Sequence, residues 1–93
     1  MLNDRLPFSQ ACEHNKKPIL KVLKEYISDQ ESLLEIASGT GQHGEFFAKS
    51  FTNVLWQTSD LPGAVANLNL RISEANLQNL PPALTLDVND SNW

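Results

Sequence analysis

The chain has a single cysteine, Cys12, so no intramolecular disulfide can form and a disulfide-stapled secreted scaffold is excluded. Long apolar runs are missing as well. None approaches the roughly 20 residues that cross a bilayer, and the start Met1-Leu2-Asn3-Asp4-Arg5 has no basic segment leading into an apolar core. Basic residues are few: seven Lys and Arg stand against eleven Asp and Glu, for a formal net charge of -4 with no long run of either sign. That balance gives no electrostatic basis for gripping nucleic acid. His14 and His43 are far apart, and with one cysteine they lack the ligand spacing of a metal site, so no metal is expected. Cys12 has no identifiable activating partner either, and reads as a partly buried small residue rather than a nucleophile. These absences predict a soluble protein of a reducing compartment, read as cytoplasmic, with no membrane partner.

What is present suits an ordinary globular domain: 41% hydrophobic and 19% charged residues in a chain of 93. Such a length makes at most one domain with a modest core. Residues 1–13 show no sustained period and read as an irregular arm. Asn15 then serves as an N-cap with Pro18 in the first turn, and Ile19, Val22, Leu23, Tyr26 and Ile27 form an apolar helical stripe expected to pack in the core. The lysines around that stripe read as a solvated face. A first strand follows over 33–37. A second helix begins at Gly41 or Gln42, with Phe46, Phe47 and Phe51 inward and Glu45 and Lys49 as an exposed i,i+4 pair. Residues 54–58 form a second strand, with Trp56 in the core, ending at Ser59-Asp60.

Ala64, Val65, Leu68, Ile72 and Ala75 then recur at helical spacing until Pro81-Pro82 forbids continuation, and residues 83–88 form a third strand. The resulting order αβαβαβ predicts an α/β fold built from parallel βαβ units: a Rossmann-like parallel sheet with flanking helices. Three strands without a closing helix look like the first half of a larger domain, truncated after the third strand, and such a half is expected to expose apolar sheet surface and to self-associate.

The chemistry gathers at the strand ends, where open α/β sheets bind ligands. Glu35 with the turn Ser38-Gly39-Thr40-Gly41, then Asp60, then Asp87 occupy three successive tips. A carboxylate at the second tip can accept hydrogen bonds from ribose hydroxyls, and one at the third can accept from the exocyclic amine of adenine. Two adenosyl cofactors compete. Gly39-Thr40-Gly41-Gln42-His43-Gly44 matches G-x-G-x-x-G, with Asp60 at about the 20-residue distance of a dinucleotide's ribose contact. Glu35 favours the other: a carboxylate repels a pyrophosphate and attracts the ammonium and sulfonium of S-adenosylmethionine. The structural alternatives are plain. Glu35 reads equally as the helix-capping glutamate of a structural strand-to-helix turn, Asp60 and Asp87 are competent turn formers, and both His14 and His43 read as solvated or capping residues.

Glu35-Ile36-Ala37-Ser38-Gly39-Thr40-Gly41 resembles the E/D-x-G-x-G-x-G motif of class I S-adenosylmethionine-dependent methyltransferases, with Ala37 in place of the first glycine. Together with the stretches 9–20, 34–43 and 56–60, the chain resembles the first half of the methyltransferase-like 26 type family. The resemblance implies that Ala37, Ser38, Gly39 and Gly41 line the methionine part of the cofactor, with Glu35 near its amino group. It implies further that Asp60 holds the ribose and Leu61 packs on the adenine, while Asp87 and Val88 meet the adenine amine and ring. Glu13, Asn15 and Lys16 would close over the cofactor from the preceding arm. The function expected is S-adenosylmethionine-dependent methyl transfer to an unknown acceptor, with no catalytic base named and the fragment inactive by itself. The alternatives are an NAD(P)-dependent Rossmann oxidoreductase and a non-catalytic binding or interaction module.

Overall fold

The computed structural model describes residues 8–28 and 31–89. In order they form helix α1 (Gln10–Tyr26), strand β1 (Ser32–Leu34), helix α2 (Gln42–Ser50), strands β2 (Leu55–Gln57) and β3 (Ser59–Asp60), helix α3 (Pro62–Ala75) and strand β4 (Leu84–Thr85). The result is a small α/β globule with short parallel strands. β1 pairs with β2 and β3 pairs with β4, both in parallel. The two ladders meet on one stretch of chain, because only Thr58 separates β2 from β3. Within it the backbone alternates sides: the Gln57 and Ser59 carbonyls accept from the Glu35 and Ser38 amides, and the Thr58 and Asp60 carbonyls accept from the Leu84 and Leu86 amides. Residues 55–60 are thus the central rail between β1 and β4. The expected order of helices and strands is observed, with shorter strands than the 33–37 and 83–88 expected.

The first helix corrects two expectations. Ser9, not Asn15, is the N-cap: its backbone is extended (φ -129°, ψ 120°) and its Oγ accepts from the Cys12 amide at 3.3 Å. Residues 10–13 are consequently helical rather than irregular, while residues 1–7 of the expected arm lie outside the described residues. Pro18 sits inside the helix. The apolar stripe is also narrower than its periodicity suggested. Ile19, Leu20, Leu23 and Ile27 pack on the core, whereas Val22 and Tyr26 are exposed. A helix of 17 residues with none fully buried lies on the flank of the globule, so only part of its stripe finds a partner.

The core is Phe47, Ala48, Phe51, Val54, Trp56, Leu68, Ile72 and Leu80. The Phe47 ring lies tilted against Trp56 with centroids 5.4 Å apart, which fastens α2 onto the central rail. Asn79 completes that joint, since its Nδ2 donates to the Ala48, Phe51 and Val54 carbonyls at 2.9, 3.0 and 3.0 Å and its own carbonyl accepts from the Trp56 amide. The bond to Ala48 satisfies a carbonyl in the last turn of α2, where the helix end leaves no intrahelical donor. Side chains alternate between the faces of a strand. Val54, Trp56 and Thr58 face the helices, and Leu34, Leu55 and Leu84 belong to the opposite face, where they remain 47%, 44% and 52% exposed. Among the described residues no helix is long and apolar enough to cross a membrane.

Candidate functional site

Beyond Leu34 the chain leaves the ladder and turns toward α2 through residues 35–41. Two bonds anchor the start of the turn: the Ser38 amide donates to the Ser59 carbonyl at 2.8 Å, and the Ser59 hydroxyl donates to the Glu35 carbonyl at 2.6 Å. Ala37 then adopts φ 56°, in the left-handed region that favours glycine. Alanine bears this conformation at a cost of about 1 kcal/mol.

Asp60, at the end of β3, reaches back to the turn. Its Oδ2 accepts from the Gly39 amide at 2.8 Å and its Oδ1 from the Leu61 amide at 2.8 Å. A carboxylate has about four acceptor positions, so further donors can still be accommodated. The Gly41 amide donates to the Ser38 carbonyl at 3.1 Å, and the Gln42 amide donates to Thr40 Oγ1 at 3.3 Å. The amides of Ser38, Gly39, Gly41 and Gln42 therefore all have acceptors within the protein.

Gly41 caps α2 at φ 80°, and a Cβ there would lie 2.8 Å from Leu68 Cδ1 and 3.1 Å from Arg71 Cδ. Gly44 meets a different requirement. A Cβ on it would come within 3.0 Å of Thr58 Cγ2 and 3.2 Å of Glu35 Oε1, so the missing side chain lets α2 lie close on the rail.

Glu35 is half-buried beneath this helix start. Its Oε1 accepts from the Trp56 indole N–H at 3.1 Å. Burial pushes its carboxyl above the ordinary range, with the Trp56 bond opposing the shift. Its carboxylate is thus turned toward the α2–rail packing at the inner side of the turn. His43 departs from the solvated reading: its ring lies 5.3 Å from Phe47, and Nε2 is buried with no hydrogen-bond partner. His14, by contrast, is exposed, as expected.

The remaining residues named from the sequence fall at varied distances from this centre. Leu61 is half exposed directly after Asp60. Asp87 lies beyond β4, where its Oδ1 accepts from the Asn89 amide at 2.9 Å, the geometry of a local turn. Val88 is 49% exposed. Asn15 is exposed in the body of α1, and the contacts joining α1 to the turn come from Ser9 and Glu13 instead. Both bond Gln42, which is 4% exposed: its Oε1 accepts from the Ser9 amide, and its Nε2 donates to Glu13 Oε2 at 2.8 Å. Lys16 pairs with Glu13 at 2.9 Å, and these bonds hold the Glu13 carboxyl below its ordinary range.

Two further residues were not singled out from the sequence, Ser59 and Arg71. Arg71 Nε donates to the Thr40 carbonyl at 2.8 Å, and its Nη1 pairs with Glu45 Oε1 at 3.0 Å. Glu45 therefore serves α3 as well as the expected Lys49, 3.1 Å away. A helical arginine about 30 residues downstream leaves no local spacing signal, because its partner is a main-chain carbonyl.

Along the strand-end edge Gly39, Leu61 and Val88 are exposed, and Asp60 and Asp87 are partly buried. Two clefts lie away from this edge: one of about 510 Å³ runs between α3 and residues 77–82, and one of about 240 Å³ lies between α1, α2 and Arg71. Among the described residues no three His, Cys, Asp or Glu side chains gather in a form that could hold a metal ion.

Residues 6–93 match the model of a family described as a protein of unknown function, DUF938, and the chain belongs to that family.

Proposed function

We propose that this member of the DUF938 family binds S-adenosylmethionine at the ends of its parallel strands, as the cofactor-binding part of a Rossmann-like class I methyltransferase domain. The observation that carries the reading is the state of the turn's amides. A dinucleotide's pyrophosphate is bound by main-chain N–H groups directed at it. Here the amides of Ser38, Gly39, Gly41 and Gln42 are already engaged by protein acceptors, while Glu35 and Asp60 add negative charge around the turn. Such a surface suits a cationic ligand. The resemblance of residues 35–41 to the methyltransferase motif, and the parallel rail that sets Asp60 beside that turn, support the same conclusion.

In this reading Ala37, Ser38, Gly39 and Gly41 line the methionine end and Glu35 contributes negative potential from below. Asp60, with acceptor capacity left after its two amide bonds, receives the ribose hydroxyls. Leu61 and Val88 offer exposed apolar surface to the adenine, and Asp87 can accept from its amine. The cofactor supplies an activated methyl group on a sulfonium, and the chain's residues bind and orient it. Catalysis by such a site rests on alignment with the acceptor nucleophile.

Isothermal titration calorimetry with S-adenosylmethionine, S-adenosylhomocysteine and NAD tests the reading. Heat with the first two and none with NAD is expected. Binding of NAD alone would establish the oxidoreductase alternative, and no heat with any of the three would favour a non-catalytic module.

A further inference from the structure

We propose that Arg71 is a positioning residue that sets the conformation of the glycine turn from α3, an inference that rests on the turn being the cofactor-binding element. Among its contacts the guanidinium joins two separate places. Nε holds the carbonyl of Thr40, the residue between the two glycines, and Nη1 holds Glu45 in the first turn of α2. One planar group thereby ties the middle of the turn to the helix it leads into. An arginine fork does this where a lysine, a point donor on a flexible stem, cannot serve both acceptors with fixed geometry.

The surroundings reinforce the arrangement. The Arg71 side chain is only 11% exposed and packs its Cδ against the place a Cβ on Gly41 would fill. A trans peptide places its carbonyl and N–H on opposite sides. With the Thr40 carbonyl drawn toward α3, the Gly41 amide points away, to the Ser38 carbonyl at 3.1 Å. That bond closes the turn and leaves Gly39 where Asp60 can reach its amide. Release of the Thr40 carbonyl frees this peptide to rotate, and amide donors now engaged internally would turn outward. Arg71 therefore keeps the Gly39 and Gly41 amides engaged within the protein, the state on which the choice of a cationic ligand depends.

Amide hydrogen exchange on the ligand-free chain separates this role from general support of the fold. In Arg71→Gln, the Gly41 and Gln42 amides are expected to exchange roughly tenfold faster relative to core α2 amides such as Phe47, the effect of losing one charge-assisted hydrogen bond. Arg71→Lys should recover only part of that protection. S-adenosylmethionine affinity by calorimetry should fall by a similar roughly tenfold factor in Arg71→Gln. Turn amides that exchange as in the wild type, or that rise only in proportion to the core, overturn the proposal. An unchanged affinity despite a loosened turn overturns it too. Should Arg71→Gln not fold, Glu45→Gln leaves the Thr40 bond in place and is expected to raise exchange at the same amides to a smaller extent, with no rise counting against the role. A wild-type chain that takes up no S-adenosylmethionine removes the functional reading alone, since the exchange comparison still decides whether Arg71 holds the turn.

Discussion

The Gly39 amide donates to Asp60 Oδ2 at 2.8 Å across 21 positions of sequence, and this bond joins the turn after the first strand to the tip of the central rail. Asp60 has a structural role in this arrangement and, in the proposed function, a binding one, and substitutions can separate them. Asp60→Asn keeps an acceptor for one amide but removes the charge. It is expected to cost about 1 kcal/mol of stability and to weaken S-adenosylmethionine binding by roughly tenfold or more. Urea denaturation and calorimetry on the same preparation check the two figures.

Gly41→Ala places a methyl group at φ 80° within 2.8 Å of Leu68 Cδ1, a side chain that is itself fully buried. Backbone strain and overpacking act together, and a loss of about 2–3 kcal/mol is expected. A shift of the urea midpoint corresponding to less than about 0.5 kcal/mol would show that the turn relaxes freely.

Ala37 presents the reverse case, a side chain already in the left-handed region at φ 56°. Ala37→Gly removes that strain while adding freedom to the unfolded chain, so a net gain of up to about 1 kcal/mol is expected. Ala37→Val, with a branched Cβ in the same conformation, should lose more than about 1 kcal/mol. The ordering Gly, Ala, Val in thermal unfolding is the outcome to look for.

Glu35 gives stability a pH dependence of definite sign. Burial raises its carboxyl in the folded state, so between the ordinary carboxylate value and the raised one the native state binds more protons than the unfolded state. Its contribution to stability therefore falls as pH rises through that window and is constant above it. Glu35→Gln removes the ionisation while keeping an oxygen for the Trp56 indole. The variant is expected to gain on the wild type as pH rises from the ordinary carboxylate value, with the difference vanishing below it. Glu13 works in the opposite direction, its lowered carboxyl favouring the fold above the ordinary value and losing that contribution as pH falls. Denaturation curves of Glu35→Gln and Glu13→Gln across the acidic range distinguish the two.

The sheet face bearing Leu34, Leu55 and Leu84 leaves each of them 44–52% exposed. Concentration-dependent self-association of the 93-residue chain is expected from this face and should weaken in Leu55→Lys, a change outside the core cluster. Sedimentation velocity over a range of concentrations tests both statements. A wild-type chain that stays monomeric throughout would refute them.

The alternation of helix and strand was legible because apolar spacing carries it: Leu68 and Ile72 in α3, Phe47 and Phe51 on α2 and its cap, and Trp56 on the rail are buried where the pattern placed them. The start of α2 was legible for a related reason, since glycine tolerates the φ 80° cap. The N-cap of the first helix lies six residues before Asn15, because the pull of Pro18 toward a first turn outweighs in the sequence the signal of Ser9, whose capping bond is local but precedes a polar stretch without apolar rhythm.

Sequence by itself determined the helix–strand order, the glycine turn and the acidic residues at the strand tips, all of which are properties of neighbours along the chain. Tertiary structure alone decided how those parts are used. It turned Glu35 inward to Trp56, aimed Asp60 at the Gly39 amide, buried Nε2 of His43 beside Phe47 and brought Arg71 to the Thr40 carbonyl. Each of these depends on how far one element lies from another, and pairings of a side chain with a distant main-chain atom leave no periodicity for a sequence to display.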